Sequence, residues 1–230
     1  MERLLRKSVN QNPSRWECRN PDSIKISVLN CQSLQDKLCH IQNDHVLMQS
    51  DIMCFTETWL KDDFPHPSLQ IEGFRLSLNS YGHQRGKGVA VYIRSAEFSV
   101  LKDIKLPNLQ VSYISSKMMD VILVYRSASC NSNVALQNIS SLLHPEKTTI
   151  ICGDFNICFK SQKSDPLIQF FINSKFDQKV TEATHIEGGT LDHVYFKKSR
   201  QSFDVDVSLY SPYYTALDHD ALCVEVLQSQ

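Results

Sequence analysis

Short apolar runs of strand length recur along this sequence far more often than helical periodicity does, and that imbalance limits the folds open to the chain. Ile24, Ile26 and Val28 alternate with polar residues up to Asn30, the pattern of a strand with one buried face. Ile52-Met53-Cys54-Phe55 is apolar on both sides, as a fully buried strand should be, and delivers Thr56-Glu57-Thr58-Trp59 at its C-terminal end. Further strands are expected at Val89 to Arg94, Val111 to Ile114, Met119 to Tyr125, Thr148 to Cys152, Leu191 to Phe196, Phe203 to Leu209 and Leu222 to Leu227. Helical spacing occurs in three places. Ser33 opens one helix with Asp36 as capping-box partner, and Leu34, Leu38, Ile41, His45 and Met48 fall on one face, with His45 at its boundary. The others are Val134 to Leu143 and Pro166 to Ser174, the latter with Asp165 as N-cap and Pro166 at the first position. So many strands with so few helices exclude one open, doubly wound parallel sheet. They predict a four-layer α/β sandwich: two mostly antiparallel or mixed sheets packed face to face, with helices outside.

No Pro/Gly/Ser-rich linker interrupts the 230 residues, so one domain is expected from residue 23 to 230, with a loosely ordered arm over 1–22. A composition 42% hydrophobic and 21% charged, with only 7 Gly, excludes disordered, repeat and low-complexity classes. The formal net charge of -1 means that a polyanionic substrate would be attracted by local clusters and bound metal rather than by the overall field. Three such clusters exist: Arg3, Arg6, Lys7, Arg15 and Arg19; Arg85 with Lys87; and Lys197, Lys198 and Arg200. Singly, each reads as solvated surface. The eight cysteines contain no CxxC pair and several sit in apolar runs, as expected of buried free thiols in a reducing compartment. Charge interrupts Met1 to Lys7 before any signal-peptide core forms, and no apolar stretch reaches membrane-spanning length. An intracellular protein is expected.

The polar residues able to do chemistry cluster at strand ends. Gly153-Asp154-Phe155-Asn156 follows the apolar run Thr149 to Cys152; alone, this is common turn chemistry. The same placement recurs at Asn30, at Glu57 and at Tyr125-Arg126, although each has an ordinary structural explanation as a cap, a solvated acid or a packed phenol. Towards the C-terminus, Thr184-His185 precedes Gly188-Gly189-Thr190-Leu191-Asp192-His193, and Leu217-Asp218-His219-Asp220 precedes the final strand. Asp192 and His219 invite pairing, because a carboxylate on one imidazole nitrogen fixes the tautomer and leaves the other nitrogen for substrate. Glu57, Asn30 and Asp218 would offer oxygen ligands only, which suits Mg²⁺ or Mn²⁺ rather than zinc. A hard cation beside a phosphodiester neutralises developing charge while a second carboxylate orients water for in-line attack.

Taken in order, Asn30, Thr56-Glu57-Thr58, Tyr125-Arg126, Gly153-Asp154-Phe155-Asn156, Leu191-Asp192-His193 and Asp218-His219 resemble the motifs of the endonuclease/exonuclease/phosphatase superfamily, from about Ile24 to Leu227. Asn30-Cys31-Gln32-Ser33-Leu34, Glu57-Thr58-Trp59-Leu60, Gly86 to Tyr92, Val124-Tyr125-Arg126 and Thr184 to His193 are similar to the apurinic-like endonuclease domains of non-LTR retrotransposons, found also in some Helitron-type elements. The resemblance implies Glu57 as chief metal ligand, with Asn30 and Asp218 completing or relaying the shell, and Mg²⁺ or Mn²⁺ as the ion. It implies that Asp154 orients or deprotonates the attacking water, that Asn156 and Tyr125 hold the scissile phosphate, and that His219, oriented by Asp192, hydrogen-bonds it. Arg126 and Thr184 are expected at the substrate.

The implied partner is double-stranded DNA, nicked by a monomeric nuclear domain to leave a 3′-hydroxyl, with no membrane partner. One departure is Leu217, where the family usually carries Ser; lowered or altered activity is expected, rather than its loss. Two other readings stay open: a same-fold hydrolase acting on RNA, lipid or inositol phosphate, and a domesticated nucleic-acid-binding domain with weakened catalysis.

Overall fold

Two parallel strand pairs organise the molecule. In the computed structural model, which describes residues 23–61, 66–82, 85–199, 203–212 and 217–228, β1 (Ser23–Asn30) crosses through helix α1 (Leu34–Gln42) to a parallel β2 (Ile52–Thr56). The other pair repeats this arrangement after an antiparallel excursion through β3 (Arg75–Asn79), β4 (Val89–Ile93), β5 (Ser99–Leu106) and β6 (Leu109–Ser115). There β7 (Met119–Arg126) crosses through α2 (Ser132–Ser140) to a parallel β8 (Thr148–Asp154). After α3 (Pro166–Asn173) follow β9 (Asp177–Gln178), β10 (Asp192–Lys197), β11 (Phe203–Tyr210) and β12 (Ala221–Gln228). The strands form two six-stranded sheets, ordered β11-β12-β1-β2-β4-β3 and β5-β6-β7-β8-β10-β9. All other pairings are antiparallel, so both sheets are mixed.

Alternation along each strand divides the core into three layers of side chains. Ile26, Val28, Ile52, Cys54 and Val91 from the first sheet meet Val121, Leu123, Ile150, Cys152 and Val194 from the second in the central cluster. The opposite faces of the same strands bury Leu29, Met53, Phe55 and Tyr92 under α1, and Val124, Ile151 and Tyr195 under α2 and α3. The resulting order of helix, sheet, sheet and helix is the expected four-layer α/β sandwich. The cysteines at 31, 39, 54, 130, 152, 158 and 223 are free thiols. Among the described residues no helix is long and apolar enough to cross a membrane. The arm over 1–22, with its basic residues and Cys18, lies outside the described residues, as does Arg200.

Three strands escaped the sequence pattern: β3, β5 and β9. All end a sheet, and β5 carries Lys102, Asp103 and Lys105 on a largely exposed strand whose apolar spacing is broken by a bulge between Val100 and Lys102. The first helix also differs from expectation. Its capping box does not form: Ser33 has φ +85 and its hydroxyl donates to Asp36 Oδ2 at 2.8 Å rather than capping backbone. The N–H groups of Ser33 and Leu34 are instead satisfied by the carbonyls of Glu57 and Thr58, which ties the helix start to the segment after β2. α1 stops at Gln42, and Asp44 Oδ1 accepts from the N–H groups of Val46 and Leu47 to start a separate 3₁₀ turn. His45 is therefore exposed and outside the helix, while Met48 still reaches the cluster under α1.

Gly153 lies where the backbone of β8 is close against that of β7. Its φ is +133, and a Cβ there would stand 1.9 Å from the Val124 carbonyl oxygen. Backbone cannot yield as a side chain would. Gly153→Ala is expected to cost about 3 kcal/mol or more from strain and overpacking, which lowers Tm by roughly 6–12 °C for a chain of this size, as read by thermal melting.

Candidate active site

The inward stripe of each central strand is apolar through the core and becomes polar at one rim. Ile26 and Val28 lead to Asn30 on β1; Val121 and Leu123 lead to Tyr125 on β7; Ile150 and Cys152 lead to Asp154 on β8; Phe196 and Val194 lead to Asp192 on β10. Register then brings them together. Tyr125 is the partner of Asp154 across β7·β8, and Asp154 that of Asp192 across β8·β10, so the three stand side by side on one sheet. Asn30 faces them from the other sheet: its Nδ2 donates to Asp154 Oδ2 at 3.0 Å and to Glu57 Oε1 at 3.0 Å. Asn30, Asp154 and Asp192 are all buried.

His219 enters from the loop before β12, which is held by a backbone bridge to His185. Its Nδ1 donates to Asp192 Oδ2 at 2.7 Å, leaving Nε2 facing Asn30 at 3.4 Å. Burial disfavours the charged ring, but the Asp192 charge and hydrogen bond, joined by the charges of Asp154 and Asp218, outweigh it and raise His219 to about 10. Burial pushes the Asp154 carboxyl up to about 8; the Asp192 charge adds to the rise, while His219 and the Asn156 N–H oppose it. Burial, together with the charges of Glu57 and Asp154, also lifts the Tyr125 phenol well above its ordinary range, so it remains a proton donor. Asn156 locks Asp154 from the other side: its N–H donates to Oδ1 at 2.9 Å, and its Nδ2 donates to Oδ2 at 3.1 Å and to the Arg126 carbonyl at 2.9 Å.

Glu57, Trp59 and Asn156 all have positive φ, +54, +54 and +49, without being glycine. Such backbone persists only where its surroundings enforce it, and here it surrounds a cluster of acids. The chain's own groups fit a hard cation. Asn30 Oδ1 and Asp218 Oδ1 are buried oxygens with no hydrogen-bond partner among the described residues, and Glu57 lies beside the first of them. Two neighbouring sets also place ligand atoms within 4.8 Å of one another: Asp154, Asp192 and His219, and His185, Asp218 and His219.

The structure thus brings together Asn30, Glu57, Asp154, Asn156, Asp192, His219 and, through Asp154, Tyr125. Asp218 sits at the side of the site, with Oδ1 3.7 Å from His219 Nε2 and Oδ2 3.6 Å from His185 Nε2. Arg126 and Thr184 stand behind it. The Arg126 guanidinium is buried and donates to the carbonyls of Phe155 and Cys130 and to Ser132 Oγ. Thr184 is buried, and its hydroxyl accepts the N–H groups of Leu191 and Asp192, each at 3.1 Å. Leu217 packs into the apolar cluster under α1. His193, adjacent to Asp192, turns to the outer face, where it stacks on Phe155 at 4.9 Å. Sequence reasoning did not single out two neighbours of the site: His185, whose ring lies 4.8 Å from that of His219, and Trp59, whose Nε1 donates to Glu57 Oε2 at 3.1 Å. Position was the signal for each, His185 standing beside Thr184 and Trp59 two residues after Glu57.

The family model described as Endonuclease/Exonuclease/phosphatase family matches residues 28–219. No curated protein matches the sequence. Among solved structures, an AP endonuclease from Archaeoglobus fulgidus superposes with a TM-score of 0.66 at 16% identity, over 87% of this chain and 98% of that one. The endonuclease domain of TRAS1, a telomere-specific non-LTR retrotransposon, gives 0.63 at 14% identity, over 90% of this chain and 100% of that one. The Neisseria 3′ phosphatase NExo bound to a product DNA hairpin gives 0.63 at 18%, over 90% and 100%. At these identities the likeness is one of fold.

The place of Thr184 makes it a positioning residue in this geometry. Thr184→Val leaves two backbone N–H groups unpaired beside Asp192 and is expected to cost about 1–3 kcal/mol, whereas Thr184→Ser restores stability. Urea unfolding of the two variants checks this; a Val variant as stable as the wild type would contradict it.

Proposed function

The chain belongs to the Endonuclease/Exonuclease/phosphatase family, and from that premise we propose that it is a divalent-cation-dependent endonuclease that nicks double-stranded DNA and leaves a 3′-hydroxyl. The observation that carries this reading is the linked row of Asn30, Asp154, Asp192 and His219. It places a buried carboxylate, held by three donated hydrogen bonds, beside an imidazole that a second carboxylate keeps protonated, so that its outward nitrogen donates.

In this mechanism water attacks phosphorus in line as the bond to the 3′-oxygen breaks, and the departing oxygen takes a proton from bulk water to become the 3′-hydroxyl. Asp154 orients the water and takes its proton; a carboxyl raised towards neutrality by burial is suited to that exchange. His219 Nε2–H and the Tyr125 hydroxyl donate to the non-bridging oxygens, where charge builds in the transition state. Asp192 keeps the His219 ring charged, so that Nε2 carries a proton, and Asn156 fixes Asp154 against the phosphate. Glu57 and Asn30 Oδ1, with Asp218 relaying, would hold a cation that would neutralise charge developing on the phosphate, and oxygen donors of this kind suit Mg²⁺ or Mn²⁺.

DNA is supported by what similar structures are called, an AP endonuclease and a retrotransposon endonuclease among them, and by the product DNA hairpin in a third. The retroelement-like stretches favour target-site nicking by a monomeric domain in the nucleus. A weakened, domesticated role draws on Leu217, but that side chain serves packing and the polar row is complete without it.

Nicking of supercoiled plasmid in Mg²⁺, abolished by chelator, is the expected activity, with product ends that a polymerase extends. Asp154→Ala and His219→Ala are each expected to lower its rate by about 10²–10⁴-fold, and Glu57→Ala by about 10²–10³-fold or more. Hydrolysis of RNA or inositol phosphates with no plasmid nicking would replace DNA as substrate; equal rates for all variants would remove the catalytic reading.

A further inference from the structure

The segment between β3 and β4 returns to the rim beside Glu57. Thr58 N–H donates to the Gly88 carbonyl at 3.2 Å and Trp59 N–H to the Lys87 carbonyl at 3.0 Å, so this segment continues the β2·β4 ladder past the ends of both strands. Two glycines allow the close approach. A Cβ on Gly88 would stand 2.4 Å from Thr58 Oγ1, and one on Gly86 would stand 3.4 Å from the Tyr125 hydroxyl and 4.0 Å from Glu57 Oε2. The backbone at Gly86 thus forms one lip of the catalytic rim, and Arg85 and Lys87 flank it in sequence.

Both cations are held in an unusual way. The Arg85 guanidinium lies 5.4 Å from the Trp59 ring centroid, and Lys87 Nζ lies 4.6 Å from that of Tyr81; neither forms an ion pair among the described residues. A carboxylate would fix a basic side chain by cancelling its charge. An aromatic face fixes it and leaves the charge intact. The ring under Arg85 is also the one whose Nε1 holds Glu57 Oε2. The cation and the acid at the centre of the site therefore share one rigid support. Tyr81, Lys87 and Trp59 are half-buried, and Arg85 is exposed at the outer edge.

We propose that Trp59, Tyr81, Arg85 and Lys87 form a ledge that binds the backbone of the cleaved polynucleotide strand, with Arg85 and Lys87 each taking one phosphate beside the scissile bond. This rests on the nuclease reading above and adds to it the surface that registers the strand. The two phosphates are gripped from the same side as Glu57, so the strand is placed relative to the acid cluster before any bond changes. Trp59 acts as a positioning residue, because it carries both Arg85 and the Glu57 carboxylate.

The test is equilibrium binding of a short fluorescein-labelled DNA duplex by the full chain, measured by anisotropy across a salt series with chelator present. Arg85→Ala/Lys87→Ala is expected to reduce the slope of log affinity against log salt by about 2, one unit for each phosphate no longer gripped. The charge-matched control is Lys117→Ala/Lys175→Ala. Lys117 sits in the turn opening β7 and Lys175 precedes β9, beside the far end of β10, both remote from Tyr125 and Asp192. The control is expected to keep the wild-type slope. Arg85→Gln/Lys87→Gln guards against a folding defect and should reproduce the first result.

An unchanged slope in both ledge variants while the wild type binds and nicks DNA overturns the ledge and leaves the nuclease reading standing. An equal drop in slope for ledge and control variants also overturns it, because the effect is then net charge alone. No binding of duplex by the wild type overturns the ledge and removes DNA as substrate together; retained hydrolysis of bis(p-nitrophenyl) phosphate would then keep only the phosphodiesterase chemistry.

Discussion

One amide holds the two halves of the site together. Asn30 Nδ2 donates to Glu57 Oε1 on its own sheet and to Asp154 Oδ2 on the facing one. Across most of the interface the sheets meet through apolar side chains, which are indifferent to small slides. At the rim they meet through directional bonds that fail within a few tenths of an ångström. The polar row depends on this link. Asp154 is also tied to Asn156, and Asp192 to His219, so a shift at Asn30 would be felt along the whole row.

That row was legible in the sequence because it is the continuation of a pattern. Alternation of Ile24, Ile26 and Val28 carries Asn30 inward, and Tyr125 and Asp154 recur at the ends of apolar runs, although those runs are apolar on both faces and do not mark which way the two side chains turn. Asp192 and His193 show the counting at work in reverse: adjacent residues face opposite sides of the sheet, one to the acids and one to Phe155. The four-layer arrangement was legible for the same reason.

What escaped was whatever the pattern does not touch. β3, β5 and β9 close the sheets at their edges, short or only half-buried, so their apolar patterns are weak. Arg126 and Thr184 have the chemistry of substrate contacts, yet buried backbone claims them first. A carbonyl or N–H left without a partner costs more than an exposed contact returns, and nothing in a linear sequence tells which backbone groups will lack one. Trp59 and His185 gain their places from folding, one through a left-handed backbone at position 59, the other through a bridge to His219.

The sandwich has two unlike poles. At one, Asn30, Glu57, Tyr125, Asp154 and Asp192 converge; at the other, Ser23 pairs with Leu227, so both described ends of the chain leave from the side away from the chemistry. The length of both sheets therefore separates the first and last paired strand residues from the linked polar row, so the acids and the amide meet at a rim built by strand ends and loops alone.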